Sequence, residues 1–233
     1  MDPVNETVDD QTPLVRALIG LTVVTGLVDA ISFLGLGHIF TANMTGNLVF
    51  LGFSAGGAPG ISAARSIAAL CAFAGGSACG GRLTSSRQRT PVAQMLIATY
   101  VETALLLAAA SAATFAASDV SPAIAYAIVL STALAMGLRN AVVRKLAVPD
   151  LTTTVLTLTI TGLAADSSLA GGGGGRTARR ALSILAMFAG ALAGTILLRT
   201  FGLPAPLAVA TLMVGCLSFY LRLHARPKLA RNR

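Results

Sequence analysis

The feature that most constrains this chain is a series of long apolar runs almost free of charge. They cover about 14–36, 61–81, 92–117, 123–143, 181–198 and 204–223. A helix needs about 20 apolar residues, with a range of about 17–25, to cross the hydrocarbon core of a bilayer. Inside that core each backbone N–H and C=O must be satisfied within the protein, so runs of this length span as helices. The runs predict an all-α fold: a polytopic transmembrane helical bundle of about six full spans, embedded in the lipid bilayer. Charged residues are 11% of the 233 positions, against about 25% in a soluble domain. The missing charge is missing from the runs.

Two further segments, near 41–54 and 151–165, are too short to span comfortably. They read either as short crossings or as re-entrant helices. Positive charge decides between the two, because Lys and Arg collect in cytoplasmic loops. If neither segment crosses, 15 of the 17 basic residues share one side with both termini, and Arg65 and Arg199 lie opposite. If both cross, the split falls to 10 against 7. Six spans with both termini cytoplasmic is the expected topology. The same argument accounts for the net charge of +8. No basic stretch is interleaved with aromatics, so nucleic acid is not an expected partner.

The first 13 residues, MDPVNETVDDQTP, are acidic and polar. They lack the basic start of a signal peptide and read as a disordered cytoplasmic tail. Residues 14–118 and 119–224 read as two membrane repeats, and 225–233 as a basic cytoplasmic tail. Cys71, Cys79 and Cys216 lie in apolar runs and are expected as small buried packing residues. No metal-ligand spacing occurs, so no metal and no cofactor is expected. The HExxH pattern and paired intramembrane aspartates are absent, so no catalytic residues are assigned and an enzyme is not expected.

The halves echo each other. A shift of 111 residues sets Gly26-Leu27 on Gly137-Leu138, Asp29-Ala30 on Asn140-Ala141 and Thr41 on Thr152. With four more residues inserted, Phe73-Ala74-Gly75 falls on Phe188-Ala189-Gly190. Three crossings per half, an odd number, would insert the halves in opposite orientations. Transporters built this way place their sites near the midplane, where broken helices leave backbone groups free.

The polar residues inside the runs are the candidate site. Asp29 lies about two-thirds along the first run, and Arg139 neighbours the equivalent Asn140. An intramembrane charge costs about 2.5–3.5 kcal/mol or more and faces a partner or a wet cavity. Asp29 and Arg139 are expected to approach each other across the repeat. Alternatively, Asp29 caps a helix break before Gly35 and Gly37, and Arg139 snorkels to the cytoplasmic face. Asn43, Thr45 and Asn47 sit at an expected helix start, with Thr41 or Asn43 as N-cap. Thr152, Thr153 and Thr154 occupy the matching place. Amides and hydroxyls can replace a solute's hydration shell, and a helix N-terminus favours an anion. The same residues can also simply bond to backbone or to neighbouring helices. Glu102, in the fourth run, is a possible proton site or a buried partner for an arginine. Gly76 and Gly80, and Gly190 and Gly194, form GxxxG patterns that let helices approach closely. They are expected at the contact between the halves or at a homo-oligomer seam.

The segments GLVDAISFLGLGHIFTANMTGNLVFLG and GLRNAVVRKLAVPDLTTTVLT resemble the YoaK-type family of bacterial integral membrane proteins, and the likeness runs through nearly the whole chain. The resemblance implies a bacterial inner-membrane protein of about six helices and brings no assigned activity. The expected function is a small channel or secondary transporter for a polar or anionic solute. The competing expectation is a scaffold or assembly protein whose polar residues only lock helices together and whose interior is dry and filled.

Overall fold

The computed structural model describes residues 3–85, 89–116, 120–146, 156–167, 170–171 and 177–224, with side chains from residue 13 onward. Among these the chain is helical throughout: α1 (Pro3–Gly35), α2 (Met44–Ala55), α3 (Ala63–Ser85), α4 (Pro91–Thr114), α5 (Pro122–Leu146), α6 (Leu156–Ala165), α7 (Thr177–Phe201) and α8 (Pro204–His224). Pro91, Pro122 and Pro204 each open a helix, where the missing N–H costs nothing. Thr90 caps α4, its side chain accepting from the Ala93 amide at 3.2 Å. Gly202, at φ +76°, ends α7 and turns the chain directly into α8. The helix α1 begins at Pro3, inside the segment read as a disordered tail, and its apolar span begins at Pro13. An acidic residue in a first turn favours the positive end of the helix dipole, and Glu6 lies in the first turn of α1.

Among the described residues five helices are both long and apolar enough to cross a bilayer: α1 from Pro13, α4, α5, α7 and α8. The sixth expected span, α3, is 23 residues long and falls outside this set. Its middle, ALCAFAGGSACGG, replaces bulk with alanine, glycine and serine. Small residues lower hydropathy while letting helix backbones approach closely.

The most extensive contacts are α3 on α5 and α1 on α7. Both are built on glycine. A Cβ on Gly76 would fall on the Leu134 carbonyl, and one on Gly80 on the Leu138 carbonyl. Gly190 meets Val23 and Gly194 meets Leu27 in the same way. From the facing sides, Gly137 lies against Phe73 and Gly26 against Met187. Residue numbers rise together from Gly76–Leu134 to Gly80–Leu138 and from Gly190–Val23 to Gly194–Leu27, so α3 runs parallel to α5, and α1 to α7. The two GxxxG faces are thus consumed inside one chain. The expectation of a homo-oligomer seam there is corrected, since the surface it needs is already buried. Around these pairs, α4 packs on α5 and α8, α8 on α1, α2 on α3, and α6 on α7.

Two contacts fix which helix ends lie together. Arg65 at the start of α3 donates from Nη1 to the Leu36 carbonyl just past α1, at 2.9 Å. At the same end of α1, Leu34 and Gly35 line a cavity of about 540 Å³ with Ala116 and Val120 between α4 and α5, and with Leu198, Phe201 and Gly202 between α7 and α8. The three cysteines are exposed, contrary to the buried packing role expected of them. In a bilayer, apolar character does not select for the interior, because lipid receives small apolar side chains as readily as a core does.

Candidate functional site

Between α1 and α2 the chain leaves helical geometry for residues 36–43. Gly37 (φ +93°) and His38 (φ +56°) both take left-handed conformations there, a region costly for a non-glycine residue. The segment lies alongside α1, level with Asp29, which is about 24 Å along the span from Pro13 at 1.5 Å per residue. Non-helical backbone at that depth must be satisfied by protein, and two side chains do this. Asp29 Oδ1 accepts from the amides of Ala42 (2.9 Å) and Thr41 (3.3 Å). Asn47 grips both sides of Phe40: its Oδ1 accepts from the Phe40 amide at 2.9 Å, and its Nδ2 donates to the Phe40 carbonyl at 2.6 Å. Phe40 in turn stacks between Phe33 and Phe50, with centroids 5.1 and 5.7 Å away.

The expected polar group therefore divides. Asn47 is fully buried and committed to backbone, and lines neither of the two cavities beside α2. Asn43 and Thr45 are exposed. Asn43 holds the N-cap position of α2, yet its side chain makes no capping bond. Thr41, the other expected cap, is buried with its hydroxyl unpartnered. The first-turn amides of α2 thus face outward from the helix without a side-chain cap.

They face a cavity of about 500 Å³. Its walls include Met44, Thr45 and Gly46 from the first turn of α2, and Leu156 and Thr157 from the first turn of α6. Phe73 of α3 and Met187 of α7 close it on two sides. Two short helices therefore aim their N-termini, the positive ends of their dipoles, into one space. A second cavity of about 320 Å³ lies between α1 and α7 and reaches Asp29. Asn43 and Met187 line both cavities. The second cavity is otherwise mostly apolar, with Gly26, Ala30, Phe33 and Leu34 on the α1 side.

Asp29 and Arg139 do interact through their charges, but the ion pair at contact distance is made elsewhere. Arg139 is fully buried and its partner is Glu102 of α4: Nη1 to Oε1 is 2.7 Å. Its Nη2 donates to Thr25 Oγ1 of α1 at 2.5 Å and lies 3.0 Å from Met136 Sδ. The physical reason is competition. Asp29 Oδ1 is occupied by two amides, whereas packing of α4 on α5 delivers an otherwise uncompensated carboxylate to the guanidinium. Burial also disposes of the snorkelling alternative for Arg139. Glu102 lines neither of the two cavities beside α2, so its geometry is that of the buried partner rather than of an accessible proton site. Asn140 is partly buried and donates from Nδ2 to the Met136 carbonyl at 2.8 Å. Thr152, Thr153 and Thr154 lie outside the described residues. Thr25 was not singled out from sequence, where it is one of several threonines in an apolar run.

These features define a polytopic helical membrane protein in which the first turns of two short helices border one cavity. The chain belongs to the family described as protein of unknown function (DUF1275), whose profile matches residues 17–220. It is similar to the UPF0700 transmembrane protein YoaK of Bacillus subtilis (strain 168), 32% identical over 150 residues. The alignment covers 64% of this chain and 64% of that protein. No solved structure matches.

Proposed function

We propose that the protein is a small channel or secondary transporter for a polar or anionic solute, in the bacterial inner membrane. Its solute site is the cavity between the first turns of α2 and α6. The observation that carries the reading is that the first turn of α2, which has no side-chain cap, and the first turn of α6 line one space. Free first-turn amides and the two dipoles supply donors and positive potential without a basic side chain. Asn43, Thr45 and Thr157 add polar contacts.

The same reading takes the bundle as six crossings with two re-entrant helices. The Arg65 bond to Leu36 supports it, because α3 then starts on the side where α1 ends, and α2 has not crossed. The shared cavity at the ends of α1, α4 and α7 supports it too, since eight crossings would put the end of α4 opposite. Exchange of α1 with α5, α2 with α6, α3 with α7 and α4 with α8 leaves the set of packed pairs unchanged. The partners of Gly76 and Gly190 are offset by 111 residues, and the glycines themselves by 114. The inserted stretch is therefore three residues rather than the four that the Phe-Ala-Gly match suggests. An odd number of crossings per half inverts the repeat and leaves both termini on one side, which the distribution of basic residues makes the cytoplasmic one.

The scaffold reading requires a filled, dry interior, and cavities of about 320 and 500 Å³ argue against it. The test is thiol accessibility. With Cys71, Cys79 and Cys216 replaced by serine, Thr45→Cys in sealed proteoliposomes is exposed to sulfonate- and ammonium-bearing methanethiosulfonates. The reading expects reaction, with the anionic reagent favoured relative to its rate on a free thiol. A thiol inert to both would leave the scaffold reading standing. Thiol labelling at Gly60 and Gly171 from opposite sides of the membrane tests the crossings; labelling from one side would overturn the inverted plan.

A further inference from the structure

We propose that Asp29 is a proton-binding carboxylate that couples protonation to the solute cavity, an inference that rests on the transport reading above. Asp29 Oδ1 is engaged by the amides of Thr41 and Ala42. The Asn43 amide also bonds to this carboxylate, and the residue lines the 320 Å³ cavity between α1 and α7. A carboxylate that borders a cavity can take up a small cation.

The lining decides which cation. Its side-chain oxygens come only from Asp29, Asn43 and Thr195, and the Thr195 hydroxyl already donates to the Ala191 carbonyl at 2.8 Å. Metal cations need around six oxygen ligands. One carboxylate oxygen is enough for a proton. The charged groups around Asp29 are few. From α5 comes Arg139, held by Glu102 of α4; α7 and the segment 36–43 contribute no charged group to the cavity. Nothing in the cavity neutralises Asp29 permanently, which leaves its charge free to change with proton supply.

The coupling is a matter of connectivity. Ala42 donates to Asp29 and is itself part of the wall of the solute cavity; Asn43, the next residue, lines both spaces. When a proton from water adds to Oδ2, the carboxylate becomes a neutral acid and Oδ1 a weaker acceptor. The hold on Thr41 and Ala42 slackens, and with it the position of the first turn of α2. The equivalent residue in the second half is Asn140, which cannot ionise, so only one of the two hinges answers to pH.

The experiment uses the Thr45→Cys reporter with a neutral maleimide from pH 5 to 9, with Asp29 intact and as Asp29→Asn. The ratio of the two rates at each pH removes the thiol's own titration. With Asp29 intact, labelling relative to Asp29→Asn is expected to rise roughly fivefold to tenfold as pH falls, the factor separating a charge-assisted from a neutral hydrogen bond. A flat ratio overturns the proposal while leaving the transport reading intact; a reporter that never reacts defeats the transport reading instead. A ratio set by sodium concentration rather than by pH would make the site a metal-ion site and also overturn it. Should Asp29→Asn fail to fold, the unsubstituted protein is treated with dicyclohexylcarbodiimide, which modifies protonated carboxyls in apolar surroundings, and mapped by mass spectrometry. An adduct on Asp29 that increases at low pH supports the proposal. An adduct confined to Glu102, or none, refutes it.

Discussion

Replacing Glu102 with leucine tests the central ion pair, and the structure sets its size. Arg139 and Glu102 are fully buried and 2.7 Å apart. Without Glu102, the guanidinium keeps Thr25 and Met136 but loses its only counter-ion at contact distance. Removing one partner of a buried pair costs about 3–5 kcal/mol, mostly from the charge left behind. For a chain of this length that corresponds to a fall in Tm of about 6–20 °C. Replacing the pair together behaves differently. Glu102→Leu with Arg139→Met removes both charges, and such swaps are neutral or stabilising by up to about 4 kcal/mol. Thr25 keeps a bond to the Leu21 carbonyl at 3.0 Å in either case. The assay is unfolding in detergent followed by far-ultraviolet circular dichroism, because the exposed cysteines would react with thiol dyes before unfolding. The expected order of stability is double variant at or above wild type, then Glu102→Leu well below. A single variant within about 1 kcal/mol of wild type, or a double variant as unstable as the single, would refute the claim that Glu102 is what makes a buried arginine tolerable.

Two other predictions use the same unfolding assay. Gly137→Ala places a Cβ on the Phe73 carbonyl, where neither backbone can yield without separating α3 from α5, and overpacking of this kind costs about 1–3 kcal/mol or more. Gly75→Ala, whose nearest neighbour is a Leu134 methyl at 3.9 Å, should change stability by less than about 0.5 kcal/mol; equal effects would sink the close-packing argument. Asn47→Ala strands the buried N–H and C=O of Phe40 at about 1–3 kcal/mol each. It should also raise labelling of the Thr45→Cys reporter, since the segment into α2 loses one of its two clamps. Unchanged stability together with unchanged labelling would mean that Asn47 does not hold that segment.

Much of this was legible in the chain and some of it was not. The broken helix after Asp29 was marked by Gly35, Gly37 and the polar TANMTGN segment, and α2 begins within it, at Met44. The GxxxG pairs were visible, and they do lie between the halves. Arg139 and Glu102 were each recognisable as intramembrane charges needing partners. What misled was the repeat, which set Asp29 opposite Asn140 and so suggested its neighbour Arg139 as the partner. One buried cation and two buried acids leave a choice that sequence spacing does not make. Asn47 looked like a solute ligand because an amide that grips backbone and one that grips a solute have the same side chain.

The sequence by itself determined that the protein is a helical membrane bundle, where its helices run, and that two of them are short. That information is local and additive: hydropathy summed over twenty residues is decided before any helix meets another. Only the tertiary structure decided that Glu102 neutralises Arg139, that Asn47 closes on Phe40, and that the first turns of α2 and α6 share a cavity. Each of these depends on which helices become neighbours. A hydrogen bond made over 2.5 to 3.3 Å carries no trace in a sequence that separates its partners by anything from 7 to 114 positions.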